Sequence, residues 1–120
     1  MPDFAFPKTL HLRKDADFQR VYAARIFAVD DVLVVNGCEN GLAHSRLGLS
    51  VSRKVGNAVV RNAWKRRIRE AFRLCRSELP AGVDFVVRPQ KAALLDFESI
   101  ARSLLELAAR IGRKLSRSRK

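Results

Sequence analysis

Acidic residues are scarce in this chain: 12 Asp and Glu stand against 24 Lys and Arg, a formal net charge of +12. That much self-repulsion destabilises an isolated compact state, so the partner implied is a polyanion. Long apolar runs are missing as well, since none approaches the roughly 20 residues of a membrane-spanning helix. Residues 1–12 carry Pro2, Pro7 and an early Asp3 where a secretory signal has a basic start and an unbroken apolar stretch, which leaves a cytoplasmic location as the expectation. Cysteine is limited to Cys38 and Cys75, with neither metal-ligand spacing nor the density of a disulfide framework, as suits a reducing compartment. The only histidines, His11 and His44, have no Cys or carboxylate at ligand spacing, so the chain offers no metal site and no catalytic set. The acid pairs Asp15 with Asp17 and Asp30 with Asp31 are more simply helix caps and a strand break than a set of carboxylates holding a catalytic metal. There is no helix-turn-helix pair, zinc spacing or leucine heptad to orient a helix in a DNA groove, although charge alone leaves RNA and DNA both open.

Among the residues present, 48% are hydrophobic, enough for one core in a single domain over residues 1–120. Residues 1–12 are expected to form an extended arm, because each proline biases its predecessor away from helix. A helix should begin at Asp15 or Asp17, either able to cap it, and run to about Arg25, with Phe18, Val21 and Tyr22 on one face. Residues 26–35 read as one bent strand or two short ones, 36–45 as a loop and 47–51 as the next strand. Asn57 is a ready cap for a long helix over residues 58–79. Residues 83–87 look like a buried strand. A last helix from Asp96 repeats apolar residues at Phe97, Ile100, Leu104, Leu107, Ala108 and Ile111. Residues 113–120, with five basic residues, are expected to be a mobile tail. The fold class is therefore α+β: a small sheet of three to four strands packed with helices, ordered helix, strand, strand, an optional third strand, helix, strand, helix.

The helix from Ala58 carries the strongest functional signal. At about 100° per residue, Val60, Trp64, Ile68, Ala71, Phe72 and Cys75 share a core-facing arc. Arg61, Asn62, Lys65, Arg66, Arg69, Arg73 and Arg76 fill an adjoining arc of roughly 140°. A solvated face would interleave acids at i,i+4, yet Glu70 is the only acid between Arg53 and Arg76. Arginine's planar fork can hold phosphate oxygens in pairs, and the free N–H groups after Gly56 and Asn57, flanked by Arg53 and Lys54, add a second phosphate-friendly feature.

The run from Arg46 to Arg73, RLGLSVSRKVGNAVVRNAWKRRIREAFR, closely resembles the signature of the bacterial ribonuclease P protein subunit. Arg61, Asn62, Lys65, Arg66, Arg69 and Glu70 match the family's Arg-Asn-Arg, basic pair and Arg-Glu pattern, except that Ala63 stands where the triplet's second arginine belongs. Phe6-Pro7, Leu12-Arg13-Lys14, Asp17-Phe18, Val21-Tyr22 and the strand Asp84-Phe85-Val86-Val87 follow the family in order, while residues 36–45 match nothing in it. The resemblance implies a small partner of a large catalytic RNA that removes the 5′ leader of precursor tRNA, with Mg²⁺ held by the RNA and no membrane or DNA partner. It implies a left-handed strand-helix-strand crossover, against the usual rule. It further implies that Arg53, Lys54, Arg61, Asn62, Lys65, Arg66 and Arg69 meet the catalytic RNA, and that Arg13, Lys14, Phe18, Tyr22, Ser50 and Ser52 line a cleft for the single-stranded leader. Phe18 and Tyr22 suit base stacking, worth roughly 1 to 3 kcal/mol per base, but without the resemblance ordinary core packing is the favoured explanation of such a pair. The competing reading is a structural RNA-binding protein such as a ribosomal component or RNA chaperone.

Overall fold

The structure, a computed structural model, describes residues 10–118, so most of the expected arm and the last two residues of the tail lie outside it. Helix α1 (Asp15–Ala23) precedes strands β1 (Phe27–Val29), β2 (Leu33–Glu39) and β3 (Arg46–Leu49). Helix α2 (Ala58–Cys75) leads to β4 (Val83–Pro89), and α3 (Phe97–Ser118) closes the chain. The four strands lie in the order β1-β2-β4-β3, antiparallel except for the β3–β4 pair, which α2 connects. This is the expected α+β class, with the optional third strand present before α2.

Alternation along the strands divides the sheet into two faces. Leu33, Val35, Leu47, Val83, Phe85 and Val87 join the main core, which α2 fills with Trp64, Ile68, Ala71 and Phe72 and α3 with Ile100, Leu104, Leu107, Ala108 and Ile111. Cys75 is buried on the same helix face, and burial pushes its thiol pKa up. The opposite face receives α1, whose Val21 packs with Leu12 and Val86 in a small second cluster. This second face is covered only in part, and that opening shapes the candidate site.

Several boundaries differ from the sequence reading. Neither Asp15 nor Asp17 caps α1: Lys14 holds the cap position without a side-chain bond, and Asp17 faces Arg20 and Arg46 at 3.7 and 3.9 Å. The helix stops at Ala23, and Arg25 adopts a left-handed φ of 56° to turn the chain into β1. Strand β2 runs through Glu39 into the stretch read as a loop, because β4 pairs with it as far as Glu39 opposite Val83. Gly37 fits there for want of a side chain: a Cβ would sit 2.5 Å from the Ile111 methyl. Helix α2 ends at Cys75 and continues only as a 3₁₀ turn, Arg76–Glu78. Helix α3 extends through Ser118, so residues 113–118 of the expected tail are helical, with Leu115 buried. By contrast the expected cap at Asn57 holds, accepting the Val60 N–H at 3.1 Å, and Asp96, where the last helix was expected to begin, accepts the Ser99 N–H at 3.0 Å.

Candidate nucleic-acid interface

Helix α2 turns its cations outward because its apolar arc is committed to the core. Asn62, Arg66 and Arg69 are exposed, while Arg61 and Lys65 are half-buried along the edge of the core face. The solitary acid, Glu70, pairs with Arg67 at 3.5 Å. No ion pair among the described residues engages Arg61, Lys65, Arg66 or Arg69. The Arg61 Nε is buried without a hydrogen-bond partner. Ala63 leaves its position without a cation, and the cation one turn along, Arg67, is already tied to Glu70. At the start of the helix the Ser52 hydroxyl accepts the Lys54 N–H at 2.9 Å, forming the short turn Arg53–Val55 that holds Arg53 and Lys54 in solvent. The Asn57 side chain occupies one of the helix's leading N–H groups, that of Val60.

The cleft-side residues do not stand together. Tyr22 is 37% exposed and lines an open concavity of about 470 Å³ between α1 and the sheet, with Phe27, Val29 and Val34 as its apolar floor and Arg25 and Arg88 at its rim. The Arg88 guanidinium lies 5.8 Å from the Tyr22 ring centre, within cation–π range. Phe18, one turn earlier, instead packs on the small second cluster above Gly48, where a Cβ would approach its ring to 2.8 Å. Arg13 lies in a different cavity, together with Lys65 and Arg69 of α2. Lys14 is exposed at the head of α1. Ser50 is half-buried and prolongs the β3–β4 pairing through its N–H to the Val87 carbonyl at 3.1 Å. Of the six residues expected at the leader cleft, only Tyr22 faces the open sheet surface.

Two residues that escape sequence reasoning shape this side of the molecule. Asp84 lies in a run that reads as an apolar strand, yet its carboxylate is fully buried and joins three elements. Arg46 of β3 donates to it twice, at 2.8 and 2.7 Å, Asn40 donates at 2.9 Å, and Arg20 of α1 donates to the same group. Burial alone would raise the Asp84 pKa, but the hydrogen bonds from Arg46, Asn40 and Arg20 outweigh it and hold the carboxyl below the usual carboxylate range. This cluster fastens α1 across the sheet and thereby sets where Tyr22 stands. A lone acid inside an otherwise apolar run is the available signal, since buried carboxylates require partners. The second residue is Asn36, only 7% exposed, whose carboxamide oxygen has no hydrogen-bond partner and whose side chain lines the Tyr22 concavity. Among the described residues no three His, Cys, Asp or Glu side chains are grouped so as to hold a metal ion. No helix among them is long and apolar enough to cross a membrane.

A mixed four-stranded sheet with one open face, flanked by a helix on which Arg61, Lys65, Arg66 and Arg69 have no carboxylate partner among the described residues, defines a small basic α+β protein suited to meeting a polyanion. Residues 6–112 match the family described as Ribonuclease P. The ribonuclease P protein component of Listeria monocytogenes serotype 4a (strain HCC23) is 36% identical over 110 residues, 90% of this chain and 92% of the relative. That of Staphylococcus aureus (strain Mu3) is 37% identical over 112 residues, 90% and 97%. Among solved structures, the RNase P protein from Thermotoga maritima superposes with a TM-score of 0.77 at 37% identity, covering 83% of this chain and 96% of that one. The Staphylococcus aureus RNase P protein gives 0.74 at 38% identity, covering 83% and 93%. The chain belongs to the ribonuclease P protein family, subunits of an RNA-processing endoribonuclease that work with the ribonuclease P RNA.

Proposed function

We propose that this chain binds the catalytic RNA of ribonuclease P through α2 and the single-stranded 5′ leader of precursor tRNA through the open face beside α1, assisting removal of the leader in the cytoplasm. The observation that carries this reading is the set of α2 cations without carboxylate partners. Like charges crowded at helical spacing cost stability that bound phosphates restore, and Arg61, Asn62, Lys65, Arg66 and Arg69, with Arg53 and Lys54 at the helix entry, form the surface that would meet the RNA backbone. The Tyr22 concavity supports the second half. Its exposed aromatic and apolar floor can stack bases, and Arg25 and Arg88 can pair with phosphates, a combination that tolerates any leader sequence.

The protein then contributes binding and positioning. Hydrolysis is left to the RNA and its Mg²⁺. The test is reconstitution: purified chain added to a ribonuclease P RNA at low Mg²⁺ should raise precursor-tRNA cleavage many-fold over the RNA alone. RNA binding without any stimulation would favour a structural RNA-binding protein instead.

A further inference from the structure

The residues assigned by resemblance to two separate surfaces meet in one cavity. Arg13, expected at the leader, shares a concavity of about 570 Å³ with Lys65 and Arg69, expected at the catalytic RNA, along with His11 and the leucines Leu47 and Leu49. The backbone explains the opening. The N-terminal segment pairs with β3 at a single bridge, His11 to Leu47, with the Leu12 N–H on the Leu47 carbonyl at 2.9 Å, and then leaves the strand to enter α1. Beyond that bridge the edge of β3, the departing segment and the cationic side of α2 enclose the space. None of Arg13, Lys65 and Arg69 has a carboxylate partner among the described residues, so three cations from two elements line one concavity without a counter-charge.

We propose that this cavity is a nucleotide clamp: one nucleotide of single-stranded RNA sits with its phosphate shared by Arg13, Arg69 and Lys65 and its sugar or base against the half-buried Leu49. The inference rests on the proposed function and adds to it that the leader path and the catalytic-RNA surface form one continuous track, joined here. The volume falls within the roughly 300–1,000 Å³ of small-ligand sites, enough for one nucleotide. Arginine forks from two directions suit the oxygens of a phosphodiester, and Leu49 supplies an apolar contact without base selectivity.

A double-mutant cycle tests it, with Arg13→Ala, Arg69→Ala and the pair assayed in two arms: affinity for the catalytic RNA alone, and affinity of the assembled holoenzyme for precursor against mature tRNA. The arm that responds identifies which RNA supplies the nucleotide. Both single variants should lose about tenfold in the same arm, and the pair should lose no more than about 30-fold where independent sites would lose about 100-fold. Arg13→Lys, which keeps the charge and loses the fork, should lose about threefold. Losses that fall in different arms, a multiplicative double loss, or unchanged binding would each overturn the clamp. Stimulation of cleavage by the unmodified chain would still stand in those cases, so failure of the clamp is separable from failure of the proposed function. Both arginines are exposed, and unchanged Trp64 fluorescence verifies that the variants fold.

Discussion

Replacing Asp84 with Asn removes the charge that holds α1 to the sheet while keeping the side chain's size. In the native protein the carboxylate takes two hydrogen bonds from Arg46, one from Asn40 and one from Arg20, with none of its own surface in water. The amide turns one acceptor into a donor aimed at a guanidinium and leaves two cations without their counter-charge. Removing one partner of a buried pair costs about 3–5 kcal/mol. Arg20 and Arg46 retain 37% and 23% of their side-chain surface in solvent and can partly rehydrate, so the expected loss lies at the lower end, about 3 kcal/mol. With a urea slope of roughly 1–3 kcal/mol/M, the unfolding midpoint should fall by about 1–3 M. Fluorescence of Trp64, the sole tryptophan and almost fully buried, reports the transition. Acid provides a second measurement. The Asp84 pKa is lower folded than the unfolded value of about 3.9, so its contribution is complete above that value and is lost as pH falls through the folded pKa. The variant should therefore show a shallower loss of stability below about pH 4. Some of the slope will persist, because Asp30 is also held low by the Leu33 and Val32 N–H groups and the Ser103 hydroxyl, against the upward push of burial. A midpoint within about 0.3 M of wild type, with an unchanged acid limb, would refute the view that this cluster anchors α1.

Three further outcomes are expected. Changing Arg61 and Lys65 together to Ala should weaken RNA binding and reduce the slope of log affinity against log salt by about 0.7–0.9 for each phosphate no longer neutralised, and an unchanged slope would remove α2 from the interface. Tyr22→Ala should weaken holoenzyme binding of precursor tRNA by about 1–3 kcal/mol and leave mature tRNA binding unaltered, whereas equal losses would mark Tyr22 as structural. Asn36→Leu removes a buried unsatisfied carboxamide at similar volume. It should leave urea stability equal or higher while lowering precursor affinity, and a stability loss above about 1 kcal/mol would show that the amide is satisfied within the fold.

Features written into local spacing were legible in the sequence. The 3.6-residue repeat placed Trp64, Ile68, Ala71, Phe72 and Cys75 inside and the cations outside, and the stripe from Ile100 to Ile111 is buried throughout as expected. Asn57 was readable as a cap because a cap acts within three residues of itself. Features that depend on distant partners were not. Asn36 and Gly37 look like loop residues until β4, arriving some 50 residues later, pairs with them at Val86 and Phe85. The Asp84 partners Arg20 and Arg46 are 64 and 38 positions away, and no local pattern relates them. Phe18 and Tyr22 are equivalent on a helical projection and differ only in what the sheet offers beneath them, Gly48 in one case and open surface in the other. The convergence of Arg13 with Lys65 and Arg69 likewise depends on where the segment leaves β3.

The position of β4 bears on how the molecule assembles. It is the last strand in sequence but lies between β2 and β3, and it carries the carboxylate to which α1 is tied. A chain growing from its N-terminus can form the β1–β2 hairpin and the basic α2 early, but the sheet cannot close until residue 89 is free to thread between two strands already made. Contacts of such long sequence separation form late and slowly. The tyrosine-lined groove, dependent on that strand, is then among the last parts of the protein to take shape. For a stretch of its synthesis the chain exposes a cationic helix before it possesses a finished groove to direct it.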